Sequence, residues 1–176
     1  LEPGVDVEAL ERALQACFDH HDMLRATFAS EDDEWIQIVA PAHPVSFEVV
    51  SSPGAVDDVL AQCHRGMDIG AGPLMRAMLI ERSHDEPCLL FLAVHHLVID
   101  VVSWTILLDD LEEAYVAAST GSDIVLSPRT TSYRDWVTHL AAASFDDERG
   151  RWVAENPYPD TQSRSFGTEA TGRTVT

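Results

Sequence analysis

The stretch Cys88-Leu89-Leu90-Phe91-Leu92-Ala93-Val94-His95-His96-Leu97-Val98-Ile99-Asp100-Val101-Val102-Ser103-Trp104 decides how this chain folds. Its first seven residues are apolar and uncharged, which predicts a strand buried on both faces. After Asp100, residues Trp104, Leu107, Leu108, Leu111 and Tyr115 fall at i, i+3, i+4, i+7 and i+11, one apolar face of a helix. His95, His96 and Asp100 therefore sit at a strand-to-helix turn. Buried polar groups must be hydrogen-bonded or they cost about 1–3 kcal/mol each, and ligands of open α/β sheets gather at the carboxyl ends of strands. The three residues are candidates for chemistry on both grounds.

Upstream, Asp6 is a good N-cap, and Val7, Leu10, Leu14, Cys17, Phe18 and His21 follow at helical spacing, with the helix closing near His20 to Asp22. Met23 to Phe28 is expected as a strand, paired in a hairpin with the β-rich Trp35-Ile36-Gln37-Ile38-Val39 beyond the acidic turn at Glu31 to Glu34. Val45 to Val50 reads as a further strand, broken by Ser51-Ser52-Pro53-Gly54, and Val56, Val59, Leu60 and Cys63 mark a second helix that stops at Gly66. Leu74 to Ile80 is expected to form an antiparallel hairpin with the strand from Cys88, through the polar turn at Arg82 to Pro87. The helix after the motif is expected from Val102 or Ser103 to Ala118. Ser132 with Asp135 forms a capping-box variant for a helix whose face is Tyr133, Trp136, Val137 and Leu140. Helices and strands interleave while hairpins forbid an all-parallel sheet, so the fold class is α/β, a two-layer sandwich with a mixed, partly antiparallel sheet.

Four segments together resemble one family. His95-His96-Leu97-Val98-Ile99-Asp100 is similar to the HHxxxDG motif of the condensation-type domains of nonribosomal peptide synthetases, in the chloramphenicol acetyltransferase-like superfamily. His20 to Phe28 resembles the family's RHExLRTxF segment, Met67 to Arg76 its FDLxxGPLLR segment, and Thr130 to Trp136 its SYRDW segment, all in the family's order. The resemblance covers about Val5 to Trp152. It implies a chloramphenicol acetyltransferase-like half-domain: residues 1–152 as an N-terminal subdomain and residues 153–176 as linker toward a missing C-terminal subdomain, with Arg173 to Thr176 a strand just beginning.

The resemblance also implies a catalytic motif of His96, His95 and Asp100. His96, the second histidine, is the acid or base, a role that imidazole suits near neutral pH. His95 is read as structural, because adjacent residues of an extended chain face opposite ways. Asp100 reads either as the orienter of the His96 imidazole or as a buried anion; the resemblance implies the second, an ion pair with Arg25, with Arg76 the rival partner, so that its loss costs folding. Val101 stands where the family has glycine; either the turn needs no left-handed backbone or the side chain narrows a substrate tunnel. Val102 and Ser103 are candidates for backbone oxyanion donors at the helix N-terminus, and Ser103 for a tunnel wall.

His-His-Leu-Val-Ile-Asp followed by Val-Ser-Trp, His21-Asp22 in place of His-Glu, and Thr-Thr-Ser-Tyr-Arg-Asp-Trp resemble epimerisation domains more than typical condensation domains. The implied reaction is Cα proton exchange on an aminoacyl or peptidyl thioester. Peptide-bond formation and an inactive docking module are the alternatives, the last supported by Val101 alone. No cofactor is expected to bind directly. The substrate arrives on the 4'-phosphopantetheine arm of a peptidyl carrier protein, and adjacent synthetase domains are the other implied partners.

Composition bounds what else the chain can do. In 176 residues, 30 acidic side chains face 11 basic ones, a formal charge of −19 that repels phosphate backbones and anionic lipid, so neither nucleic acid nor membrane is an expected partner. Every basic residue is arginine, which reads as genomic composition bias. Cys17, Cys63 and Cys88 lie in apolar patterns rather than metal-type spacing and read as reduced hydrophobes, and no metal site is expected. No stretch has the look of a signal peptide or the ~20 apolar residues of a spanning helix, and the expected setting is cytoplasmic. His20, His21, His43, His64, His84 and His139 carry no ligand spacing, and Asp109-Asp110 with Glu112-Glu113 reads as a solvated helix face.

Overall fold

The structure, a computed structural model, describes residues 4–32, 34–51, 56–82 and 86–155. The chain divides into two compact units, Leu1–Thr130 and Thr131–Thr176. The breaker at 52–54, the turn residues 83–85, the linker from 156 and the strand expected at 173–176 lie outside the described residues.

In the first unit, helix α1 (Val7–His20) opens where Asp6 predicts, its carboxylate accepting the Ala9 N–H at 3.0 Å. Ala9, Leu10, Ala13, Leu14, Cys17 and Phe18 are its buried stripe. A 3-10 turn (Asp22–Arg25) buries Leu24 and delays strand β1, which runs Ala26–Glu31 rather than from Met23. β1 pairs antiparallel with β2 (Glu34–Val39) in the register Ala26↔Val39 to Glu31↔Glu34, the expected hairpin.

The second sheet is mixed and positions the site. Its order is β3-β4-β5, with β3 (Ser46–Ser51) parallel to β4 (Met75–Glu81) through helix α2 (Val56–Arg65), and β4 antiparallel to β5 (Leu89–Val94). The all-apolar run therefore forms an edge of this sheet, not its centre. Within β5 Ala93 is buried and Leu89 is 39% exposed, whereas Met75, Ala77, Met78, Leu79 and Ile80 of β4 are each at most 2% exposed. Alternation assigns the two faces of β4. Met75, Ala77 and Leu79 pack with α1 and with helix α3 (Val101–Ser119), while Met78 packs with Cys63 of α2 and Ala93.

Arg76 hides the centrality of β4 from a reading of hydropathy. Its guanidinium reaches Glu48 Oε1 at 2.7 Å and the Cys63 carbonyl at 3.4 Å, so the charge lies at the end of α2 while the stem stays in the sheet. Gly66 permits this: a Cβ there would stand 1.7 Å from Arg76 Nη1. The thiols of Cys17 and Cys63 are buried, and burial, helped by the Asp110 charge, pushes Cys17 up to about 12, so it is an inert hydrophobe.

In the second unit, Ser132 caps helix α4 (Tyr133–Ala142), its Oγ accepting the Asp135 N–H at 3.1 Å, and helix α5 (Asp146–Glu155) follows. Among the described residues no helix is long and apolar enough to cross a membrane.

Candidate active site

Strand β5 ends in a tight turn. The His95 N–H donates to the Leu74 carbonyl at 2.8 Å and extends the β4–β5 ladder by one rung. The Val98 N–H then donates to the His95 carbonyl at 3.0 Å, a β-turn with His96 and Leu97 at its corner. Two buried residues anchor the far side: Val98, with Ala26 and Leu74, and Ile99, in the main core. His96 is exposed and has no hydrogen-bond or ion-pair partner among the described residues, while His95 is half-buried. The Leu97 N–H points at His95 Nδ1, 3.2 Å away. An unencumbered imidazole on a pinned turn is free to accept or give a proton to whatever reaches it.

Asp100 does not pair with Arg25. It is the N-cap of α3, which begins at Val101: Oδ1 accepts the Ser103 N–H at 2.8 Å and the Ser103 hydroxyl at 2.7 Å. Arg25 is spent elsewhere, donating to the carbonyls of Phe18, Asp19 and Ala40 and pairing with Asp22 Oδ1 at 2.7 Å. The rival, Arg76, holds Glu48. A carboxylate flanked by helix N–H groups needs no buried cation, because the helix terminus supplies the positive potential. The Ser103 hydroxyl, then the Ser103 and Val102 N–H groups, hold the Asp100 carboxyl below its ordinary range. Stability from this cap is therefore complete above the ordinary carboxylate pKa of about 3.9 and is lost as pH falls through the lower folded value. Asp100→Ala is expected to lower Tm by a few degrees with the fold intact, and Asp100→Asn to restore most of it; collapse of the fold in Asp100→Ala would revive the buried ion pair.

The oxyanion assignment of Val102 and Ser103 meets the same carboxylate. The Asp100 side chain occupies the N–H groups that an oxyanion would need and adds a negative charge beside it, so this helix terminus is not free for one. Val101 is the first residue of α3; among the described non-glycine residues Asp32 has positive φ, and Val101 does not. The family's glycine is thus not required here for left-handed backbone. Val101 and Val102 present apolar side chains to solvent, 81% and 68% exposed.

The sequence reading missed a second polar cluster. His21 Nε2 lies 2.8 Å from Asp110 Oδ2, tying the end of α1 to the middle of α3, and Asp22 also takes Arg129 at 2.6 Å. Asp110 is not on a solvated face: it lies three residues after buried Leu107 and four before buried Ala114. That spacing, with His21 three and four residues after Phe18 and Cys17, is the signal that was there to find. Burial holds the His21 imidazole below its ordinary range, against the opposing bond and charge of Asp110, with His20 and Arg129 also lowering it. The unfolded chain takes up this proton near pH 6.5, so stability from the site is full above that pH and falls as pH drops through the lower folded value. His21→Gln is expected to flatten the loss of urea midpoint between pH 8 and pH 5.5; an unchanged slope would show that His21 does not set it. Among the described residues no group of three or more His, Cys, Asp or Glu side chains is placed to hold a metal.

A family model described as Condensation domain matches residues 1–153. The chain is 35% identical over 151 residues to surfactin synthase subunit 2 of Bacillus subtilis (strain 168), covering 80% of this chain and 4% of that protein. It is 32% identical over 161 residues to tyrocidine synthase 2 of Brevibacillus parabrevis, covering 87% of this chain and 4% of that protein. The chain thus spans a small part of the length of these synthetases. The structure of the epimerization domain from the third module of tyrocidine synthetase B superposes with a TM-score of 0.77 at 30% identity, over 93% of this chain and 40% of that one. The X-domain from teicoplanin biosynthesis superposes with a TM-score of 0.65 at 25% identity, over 88% of this chain and 33% of that one. The chain belongs to the condensation-domain family. It is a condensation-type domain sequence of the nonribosomal peptide synthetase kind, with the mixed α/β fold of that family.

Proposed function

We propose that the chain is the N-terminal half of an epimerisation domain, which converts an L-aminoacyl or peptidyl residue on a carrier-protein thioester to the D form. The observation that carries this reading is the His96 imidazole, exposed and unpartnered among the described residues at the tip of a turn fixed by backbone bonds and by Val98 and Ile99. His96 takes the Cα proton, leaving the thioester enolate; a second acid on the other half of the domain delivers a proton to the opposite face, and both groups re-equilibrate with solvent. The enolate oxygen's donors come from groups other than the α3 terminus, which Asp100 fills. The Cα–H of a thioester is acidic enough for such exchange only when the enolate is stabilised, so both halves are needed. Residues 1–152 form the first half and residues 153–176 lead to the second.

The tyrocidine epimerization domain, which exceeds the teicoplanin X-domain in both overlap and identity, supports epimerisation. The family match favours a second reading, a condensation domain in which His96 serves the amine that attacks a donor thioester. Val101 sits without positive φ in the first turn of a helix, which agrees with a turn that needs no left-handed backbone; the docking reading rests on its side chain narrowing the tunnel. The carrier protein and its pantetheine arm are the substrate side of either reaction. Incubating the intact parent protein with a single loaded aminoacyl or peptidyl carrier and measuring the D to L ratio separates the two: a mixture of isomers supports epimerisation, and unchanged L substrate that is consumed into an amide once an acceptor carrier is added supports condensation.

A further inference from the structure

We infer that His95 is the positioning residue of this site, acting through its Nδ1 lone pair as an imidazole counterpart of asparagine in an Asx turn. The inference rests on the reading of His96 as the proton-transfer group. An asparagine at such a place accepts the N–H two residues on with its side-chain oxygen and so mimics a backbone turn. His95 does this with nitrogen: Leu97 N–H to His95 Nδ1 is 3.2 Å. Nδ1 of histidine, Oδ1 of asparagine and Cδ1 of leucine are each one bond beyond Cγ, so the three side chains bring an atom to the same place. Two of those atoms are acceptors and one is not.

Three bonds then meet at one residue. The His95 N–H is held by the Leu74 carbonyl, the His95 carbonyl by the Val98 N–H and the His95 ring by the Leu97 N–H. The flanking peptides of His96 are fixed on both sides while its side chain is left free. Accepting from Leu97 requires Nδ1 to be bare, which selects the neutral ring with its proton on Nε2. The bond has little to do with folding, because Leu97 is 53% exposed and its N–H turns to water if the acceptor is lost. Its consequence is the aim of His96, where a displacement of about 1 Å at a reacting group costs up to ~10²-fold in rate.

The test uses the intact parent protein with a loaded carrier in deuterated water. His95→Leu is expected to lower kcat for Cα exchange about 10- to 100-fold at unchanged KM and Tm, and His95→Asn to recover most of that loss. If His95→Asn falls as far as His95→Leu, the acceptor is not what matters; if His95→Leu keeps the wild-type rate, the turn does not need it. Either result overturns the inference. Should His95→Leu fail to fold, His95→Gln, whose acceptor lies one carbon too far, replaces it. Long-range proton–nitrogen correlation of the wild-type His95 ring must show Nε2 protonated and Nδ1 bare, and a proton on Nδ1 overturns the inference whatever the reaction proves to be. His96→Ala in the same assay isolates the underlying reading: exchange that survives there refutes the role of His96, and the ring tautomer alone then decides the role of His95.

Discussion

His96→Ala is expected to slow Cα proton exchange by the intact domain about 10²- to 10⁴-fold, the range for a positioned general acid or base, while leaving Tm unchanged. The split follows from the turn. His96 is exposed and has no partner among the described residues, so truncating it strands no donor or acceptor, and substitutions away from such features stay within about 0.5 kcal/mol. The turn itself is held by main-chain bonds from His95 to Leu74 and Val98 and by two buried side chains, none of which the mutation touches. Exchange rates measured beside thermal melts check both halves. A variant that loses rate and Tm together would make His96 a structural residue.

Phe18→Ala is expected to be the most destabilising of the substitutions considered, by about 3–5 kcal/mol. The ring is 1% exposed, lies edge-on to the His43 imidazole at 5.0 Å and 73°, and packs within the core shared by α1, α3 and β4. It also lines a cleft of about 480 Å³ bounded by Arg25, His43, Pro44 and Leu74, among others. Removing it opens the core to that cleft, where water can enter, so the lower half of the range is expected. The main-chain bond from Arg25 to the Phe18 carbonyl survives the substitution, which isolates the side chain. Urea titration should show a lower midpoint with the slope retained; a loss under ~1 kcal/mol would mean that α1 does not supply the core.

What was legible in the sequence came from local rules. Asp6, Ser132 and the spacing of Leu10, Leu14, Cys17 and Phe18 placed helices because caps and 3.6-residue periodicity act within a few residues of chain. The strand-to-helix turn was legible for the same reason, and the described strands end within three residues of where apolar runs, β-rich composition and breakers put them. What failed depended on tertiary partners. The run Cys88 to Val94 promised a strand buried on both faces, but Met75–Glu81 holds the centre of the sheet, and Arg76 conceals that buried strand by carrying its charge to Glu48 and the end of α2. Leu108 was read as core, yet it is 48% exposed, while the smaller Ala114 and Ala118 are buried, Ala114 in the core with α1 and β4. Arg25 found carbonyl oxygens rather than Asp100, and a side-chain bond to main chain leaves no mark in the sequence. Asp110 was hidden among acidic neighbours that are solvated, and only its i+3 and i−4 relation to Leu107 and Ala114 marks it as different.

Proton exchange at Cα by the His96 turn is the proposed chemistry on which the rest depends. Its most direct test is deuterium incorporation at the α carbon of a carrier-bound aminoacyl or peptidyl thioester, measured with the intact parent protein in deuterated water, wild type and His96→Ala side by side. The wild type is expected to gain one deuteron at Cα together with a shift toward a mixture of D and L forms, and the variant neither. Wild-type protein that takes up no deuterium while forming an amide bond with an acceptor carrier would contradict it.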